Sequence, residues 1–296
     1  MKIAILSRGP QLYSTQSLLR AGRNKGHEMH IVDHTRCSLV LERDRPRILY
    51  EGYRLEKFDA VIPRIGASVT SIGASVISQF ENMNVFVAAK ASALIDARDK
   101  LRCLHQLAQH GIHIPKTVFV ASGQNIRSAV SNLGGLPVVV KLLEGTHGIG
   151  VILAESYRTV ESTVEAFQRL NKRVMLQEFV REAKGADIRV LVVDGKVVAA
   201  MERKARPGEF RSNLHRGGSA HRVKLTAAER DLARRVVRIM GLHIGGVDFL
   251  RSNRGPLIME VNASPGLEGI ESVTGADVAS AIIDFAVQSV QKKTPR

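Results

Sequence analysis

Two apolar segments near the C-terminal end, Gly246-Val247-Asp248-Phe249-Leu250 and Ile258-Met259-Glu260-Val261-Asn262, each carry a carboxylate inside what reads as a buried β-strand. Ser252-Asn253-Arg254-Gly255 reads as a turn between them, so a hairpin would set Asp248 roughly opposite Glu260. Strand side chains alternate between faces, which puts Glu260 and Asn262 on the same one. Three oxygen-bearing side chains therefore converge among apolar neighbours. Two carboxylates held together there lose hydration and repel each other. A hard divalent cation removes both penalties, and an oxygen-only donor set selects Mg²⁺ or Mn²⁺. The competing description, a solvated sheet face with incidental acids, fits poorly with strands this apolar.

Lys141 sits in a second apolar run, Val138-Val139-Val140-Lys141-Leu142-Leu143, where a lysine needs a partner. Glu144-Gly145-Thr146-His147-Gly148-Ile149-Gly150 follows, and its glycines let backbone N–H groups come close to phosphate oxygens. No Gly-Lys-Ser/Thr follows, so this is not a Walker A loop. Alone the loop could equally be a hairpin turn, and His147 reads as a solvated loop-tip residue. With the lysine upstream and the carboxylates downstream, a nucleotide site is the favoured reading. A third stretch, Phe210-Arg211-Ser212-Asn213-Leu214-His215-Arg216-Gly217-Gly218, with Arg203 nearby, offers guanidinium forks suited to phosphate or carboxylate. By itself it would read as an exposed basic loop.

The N-terminal part alternates short apolar strands, at 2–7, 29–32, 60–65 and 85–88, with amphipathic helices, the pattern of an α/β sheet. Gly9 follows the first strand without a G-x-G-x-x-G fingerprint, which gives a dinucleotide site little support. A new unit starts near Arg98, with strands expected at 116–120, 138–142, 151–154 and 174–180. Beyond Ala183, Asp194-Gly195 signals a type I′ hairpin, Thr226 and Glu229 a capping box, and 278–290 a closing helix. The expected division is 1–97, 98–182 and 183–290, with 291–296 as a tail.

A formal net charge of +15 favours anionic partners. The absence of Trp and an aromatic content of 4% supply few stacking platforms for single-stranded nucleic acid, so no dedicated nucleic-acid site is expected. Cys37 and Cys103 are too few for a disulfide framework, which fits a reduced compartment. The apolar run after Met1 ends at Arg8, too short for a signal peptide, and no stretch approaches the roughly 20 apolar residues of a membrane span. A soluble cytoplasmic protein is expected.

These residues together resemble the ATP-grasp superfamily, and within it the RimK-type glutamate ligases. The resemblance is carried by Lys141 with its glycine loop, Gln177-Glu178-Phe179-Val180, Asp187 with Arg189, Arg211-Ser212-Asn213, Asp248, and Met259-Glu260-Val261-Asn262-Ala263-Ser264-Pro265-Gly266-Leu267-Glu268-Gly269. It implies an α/β fold with a Rossmann-like pre-ATP-grasp domain followed by two α+β lobes that clasp ATP. By the resemblance, Lys100 and Lys141 contact the nucleotide from either side of the cleft. Glu178, Phe179 and Val180 form the adenine edge, and Asp187 holds the ribose. Arg211, Ser212 and Asn213 face the phosphates and the acyl group. Asp248, Glu260 and Asn262 ligate two Mg²⁺ or Mn²⁺ ions. Arg64, Arg203 and Arg216 are candidates for gripping substrate carboxylates. The implied partners are L-glutamate and the C-terminal tail of a ribosomal small-subunit protein or a glutamyl peptide. A homo-oligomer, a tetramer by the resemblance, is expected.

The implied reaction is carboxylate–amine ligation through an acyl phosphate, with Lys141, Arg211 and Asn213 at the reacting groups. Two other classes compete. A phosphotransferase would use the same lysine, loop and metals but leave a phosphorylated product. A ribosome- or RNA-binding protein would explain the charge, yet has no reason to place two carboxylates and an amide among apolar strand residues.

Overall fold

The computed structural model describes residues 1–121, 125–144, 150–212 and 217–293. Strand β1 (Lys2–Leu6) pairs in parallel with β2 (Glu28–Val32), and α1 (Tyr13–Asn24) crosses between them. Then come β3 (Cys37–Val40), β4 (Arg47–Tyr50) and β5 (Tyr53–Arg54), before β6 (Ala60–Pro63) returns to the parallel sheet beside β1. Helix α2 (Thr70–Asn82) leads to β7 (Phe86–Val87), giving the sheet order β2-β1-β6-β7. Ile3, Ala4, Ile5 and Leu6 are all fully buried, because Leu18 and Leu19 of α1 cover one face and Val76, Ile77 and Phe80 of α2 the other. Burial on both faces is why this strand reads as an unbroken apolar run.

Periodicity predicts no strand between residues 33 and 59, yet β3, β4 and β5 form a separate antiparallel sheet. Its strands are short and mostly half-buried, and Ile48 is its one fully buried side chain. Gln79 of α2 fastens it by donating to the carbonyls of Val40 (2.9 Å) and Arg47 (3.3 Å). Strands of 4, 4 and 2 residues are too short to show a two-residue alternation, although Ile48, Cys37, Leu39 and Tyr50 pack on the core.

Helices α3 (Ala91–Arg98) and α4 (Lys100–Gln109) are broken only by Asp99, whose carboxylate caps α4 by accepting from the N–H groups of Leu101 and Arg102. The next unit contains β8 (Thr117–Val120), α5 (Ile126–Asn132), β9 (Val138–Leu142), β10 (Val151–Ala154), α6 (Tyr157–Arg169) and β11 (Val174–Glu178). Its sheet runs β10-β9-β11-β8 and is antiparallel. Val138, Val140, Val174 and Leu176 pack under α5 and α6, which leaves Lys141, Met175 and Gln177 on the opposite face. The expected strand to residue 180 ends at Glu178, so Phe179 and Val180 lie in the connection to the next unit.

That unit holds β12 (Ala186–Val193), β13 (Lys196–Lys204), β14 (Ser219–Arg222), α7 (Ala227–Ile239), β15 (Ile244–Ser252) and β16 (Gly255–Asn262). The sheet order is β14-β13-β12-β15-β16. Asp194 and Gly195 both have positive φ, 48° and 71°, as a type I′ turn requires. Thr226 and Glu229 form the capping box of α7, which packs its Ala233, Val236 and Val237 on the sheet face that carries Val190, Val247 and Phe249. The chain closes with α8 (Glu268–Thr274) and α9 (Val278–Lys293). Helix α9 returns to the first sheet, where Phe285 meets Phe86 edge-on at 5.7 Å. Among the described residues no helix is long and apolar enough to cross a membrane.

The β15–β16 pairing contains a bulge. Asp248 pairs with Glu260 and the next residue, Phe249, pairs with Ile258, so Met259 is surplus. The bulge lets Ile258 face the core under α7 while Glu260, two residues on, faces the other way. At the end of the same ladder Gly246 lies opposite Asn262. A Cβ there would meet Pro265 Cβ at 2.9 Å and Leu191 Cδ2 at 3.3 Å. Gly246→Ala is expected to cost about 1–3 kcal/mol by overpacking and to displace the turn after Asn262. Chemical denaturation checks this, and wild-type stability would show that the turn yields freely.

Candidate active site

The face of the β14-β13-β12-β15-β16 sheet turned away from α7 carries a row of alternating charge. Register places Arg189 of β12 opposite Asp248 of β15, and Asp248 opposite Glu260 of β16. Two residues along β12, Asp187 lies opposite Arg203 of β13. Arg189 donates to both oxygens of Asp248 at 2.7 and 2.5 Å, and Arg203 to both oxygens of Asp187 at 2.7 and 2.6 Å. Arg203 also reaches Asp248 Oδ2 at 2.9 Å. Asp187, Arg203 and Asp248 are all buried. Burial alone would push the Asp248 carboxyl up, but the two guanidiniums overcome it and hold the group well below the usual carboxylate range.

Glu260 is left over in this row. Its side chain is 41% exposed, its nearest Arg189 nitrogen is 3.8 Å away, and Asn262 Nδ2 donates to it at 3.2 Å. Burial of its carboxyl and the neighbouring Asp248 charge raise its pKa. A carboxylate held against another one is a position that a cation would relieve. The donors there are two carboxylates and an amide oxygen, and among the described residues no group of three or more His, Cys, Asp or Glu competes as a metal site. Glu260 and Asn262 therefore fit a hard divalent cation by charge and donor chemistry, while Asp248 beside them is buried with both oxygens engaged by Arg189 and Arg203.

Across from this row stand two lysines. Lys141 Nζ donates to Gln177 Oε1 at 2.5 Å, and Gln177 Nε2 in turn donates to Thr117 Oγ1 at 2.9 Å. Gln177 is 2% exposed, so it fixes the ammonium from β11. Burial pushes the Lys141 ammonium down to about 8; the Glu260 charge opposes that fall, and Lys100 adds to it. Lys100, at the start of α4, donates to the Leu143 carbonyl at 3.1 Å and is also lowered by burial, with Glu260 opposing. Glu260 is thus within electrostatic reach of both lysines. Lys141 of β9 and Lys100 of α4 thus gather near the carboxylates of the β15–β16 hairpin.

The remaining expected residues fall around this cleft. Glu178 Oε1 accepts from the Lys116 N–H and from Arg254, both at 2.7 Å, which ties the last residue of β11 to the β15–β16 turn. Phe179 meets Phe210 edge-on at 6.3 Å, and Val180 is buried. Arg211 is paired with Glu209 and donates to the Val151 carbonyl at 3.2 Å, so it reaches across to β10. Ser212 is buried. Arg64 donates to the Pro265 carbonyl at 2.6 Å, just beyond Asn262. Arg203, expected among substrate grips, has its fork filled by Asp187 and Asp248 and serves as their counter-ion. Asp187, expected at the ribose, is engaged by Arg203 on both oxygens. His147 and the glycines Gly145 and Gly148, with Asn213 and Arg216, lie outside the described residues.

Sequence reading assigned no role to Gln177, Arg189 or Arg98. For the first two a signal existed in the two-residue period. Gln177 shares a face with Met175, which pairs with Lys141, and Arg189 shares a face with Asp187. Arg98 ends α3, and only the folding of α3 against β16 brings it near Glu260.

Comparison with known proteins agrees with this geometry. Residues 97–286 match the RimK-like ATP-grasp domain model, and residues 1–94 the RimK PreATP-grasp domain model. A protein of Hahella chejuensis named probable alpha-L-glutamate ligase 1 is 55% identical over 295 residues, covering 100% of this chain and 97% of that one. Among solved structures, the RimK domain ATP-grasp protein of Sphaerobacter thermophilus superposes with a TM-score of 0.75 at 23% identity, covering 97% of this chain and 100% of that one. The ATP-grasp ligase PsnB, solved with a minimal precursor, Mg and ADP, superposes with a TM-score of 0.75 at 18% identity, each chain being 98% covered.

The two carboxylates are expected to behave differently on substitution. Asp248→Ala leaves Arg189 and Arg203 short of a buried counter-ion and should destabilise the protein by about 3–5 kcal/mol. Glu260→Gln removes a repulsion instead. The raised pKa of Glu260 means its charged form opposes folding, a cost that sets in as pH rises past the ordinary carboxylate value. Mg²⁺ should therefore raise the melting temperature of the wild type at neutral pH and leave that of Glu260→Gln unchanged. Equal Mg²⁺ stabilisation of both would reject the site.

Lys141 predicts a pH dependence. Its ammonium loses its proton as pH rises through about 8, and with it the attraction for a triphosphate. ATP affinity should fall above that pH by up to about tenfold per unit, and Lys141→Met should flatten the profile. Calorimetric titration from about pH 7 to about pH 9, one unit either side of that value, reads this directly.

Proposed function

The chain belongs to the RimK-like ATP-grasp family, and on that premise we propose that it is an ATP-dependent ligase joining the amine of L-glutamate to a peptide carboxylate. The observation that carries this reading is the cleft itself. Desolvated Lys141 faces a carboxylate pair whose mutual repulsion calls for a cation. Such a cleft suits a metal-bound triphosphate.

Lys141, oriented by Gln177, neutralises charge that spreads over the phosphoryl oxygens as the acceptor carboxylate attacks the γ-phosphorus. Lys100 does the same from the α4 side. Bound at Asp248, Glu260 and Asn262, Mg²⁺ or Mn²⁺ would supply further charge neutralisation on the phosphates, and two ions are the proposed number. The acceptor leaves this step as an acyl phosphate, ADP being released. The glutamate amine then attacks the activated carbonyl and expels inorganic phosphate. Activation is needed because a carboxylate is a poor electrophile in water. Arg211, which reaches from its loop to β10, is the proposed partner of the phosphoryl group, with Asn213 and Ser212 beside it in sequence. Glu178, Phe179 and Val180 lie at the junction of the two sheets, where the adenine edge is proposed, and Asp187 is the proposed ribose contact.

The proposed acceptor is the C-terminal tail of a ribosomal small-subunit protein or a glutamyl peptide, in the cytoplasm, with the enzyme acting as a homo-oligomer. The net charge of +15 supports an acidic tail as acceptor, since each added glutamate makes the product more strongly attracted. Incubation with ATP, Mg²⁺, glutamate and candidate acceptors should give products spaced by one glutamate residue in mass spectrometry. A product heavier by phosphate alone would favour the phosphotransferase instead.

A further inference from the structure

The mechanism so far leaves two cations unused. Arg64 follows β6, at the carboxyl end of the parallel sheet, where open α/β sheets bind their ligands. Arg98 is the last residue of α3, and its Nη2 donates to the Ile65 carbonyl at 2.5 Å, one residue from Arg64. Its Nε is buried without a partner. Arg64 makes its hydrogen bond to the Pro265 carbonyl, in the turn that follows Glu260 and Asn262. Beside Pro265, the Ser264 hydroxyl is also buried without a partner. Neither arginine forms an ion pair with a carboxylate among the described residues. Burial and the Arg98 charge bring Arg64 down to about 10, with Glu271 in partial opposition, and burial lowers Arg98 with Glu260 opposing.

Arg64, Arg98, Lys100 and Lys141 form a chain of mutually repelling cations running from the first sheet to the phosphate site. The two lysines suit the triphosphate. The two arginines have five donors each, and the Nε–H of Arg98 is buried without a partner. Two half-buried guanidiniums with no ion pair among the described residues favour an added anion, since Glu271 and Glu260 act on them only at longer range.

We infer that Arg64 and Arg98 together seat a carboxylate of the incoming amino acid, the substrate whose amine is acylated. The inference rests on the ligase reading above. Chemistry selects this carboxylate over that of the acceptor. The acceptor's carboxylate must act as a nucleophile and then lose its charge as an acyl phosphate, and two desolvated arginines would hold it anionic and unreactive. A carboxylate of the incoming amino acid keeps its charge from binding to product, so it can be gripped throughout. The grip also fixes the amine beside the cleft, which is the positional advantage a two-substrate ligation needs.

The test uses the full chain and its Arg64→Gln, Arg98→Gln and Arg98→Lys variants. Steady-state ADP release gives KM for glutamate and for an acceptor peptide separately, and equilibrium dialysis with labelled glutamate, ADP and Mg²⁺ gives binding. Each Gln variant should raise the glutamate KM and weaken glutamate binding by about ten- to hundredfold, the loss of charge-assisted hydrogen bonds. Acceptor KM and ADP binding should stay at wild-type values, and Arg98→Lys should recover part of the loss. Competition by glutamine, which lacks the γ-charge, and by isoglutamine, which lacks the α-charge, distinguishes the two carboxylates. The analogue missing the gripped charge should compete equally against wild type and variants. A shift in acceptor KM alone, loss of ADP binding, or unchanged glutamate KM in both Gln variants would overturn the seat while leaving the ligase reading intact. Wild-type protein that binds glutamate in an arginine-dependent way but forms no glutamylated product would overturn the ligase reading and leave the seat standing.

Discussion

Everything in the cleft depends on the bidentate pair between Arg189 and Asp248, set across neighbouring strands in a buried sheet. It allows a carboxylate to remain ionised where water is excluded. Arg203 reinforces it from β13 and joins Asp187 to the same network. Balanced within itself, that network leaves Glu260 as the unmatched charge at the sheet's edge, half open to the cleft. The unfavourable position of one glutamate thus follows from the favourable positions of its neighbours.

The other side of the cleft uses the opposite logic. Lys141 is strongly desolvated and has a neutral amide, Gln177, as its direct partner. A neutral partner orients the ammonium without cancelling its charge, which remains available to an incoming anion. The two sheets thus present complementary deficits, a surplus positive charge on one and a surplus negative charge on the other. Glu178 and Arg254 on one flank, with Arg211 and Val151 on the other, hold the sheets at a set spacing.

Much of this was legible in the sequence. The strands with Asp248, Glu260 and Asn262, the capping box at Thr226 and Glu229, and the hairpin at Asp194-Gly195 all announce themselves through short-range patterns of two, three and four residues. What stayed hidden is what long-range pairing decides. Arg203 read as a candidate grip for a substrate carboxylate, because nothing local shows that β13 brings it against Asp187. Arg98 read as a domain boundary, though it closes on the loop after β6. The small sheet of β3, β4 and β5 escaped because its strands, of 4, 4 and 2 residues, are too short to show a period.

The surplus residue at Met259 has an evolutionary corollary. Strands count in twos, so a single loss or gain normally turns every following side chain to the wrong side. Here an odd member is already absorbed, and a relative lacking position 259 would still aim its acids into the cleft while surrendering the local kink. Length variation in this arm is thus silent for orientation at one position only, and its cost there would fall on the spacing between metal donors.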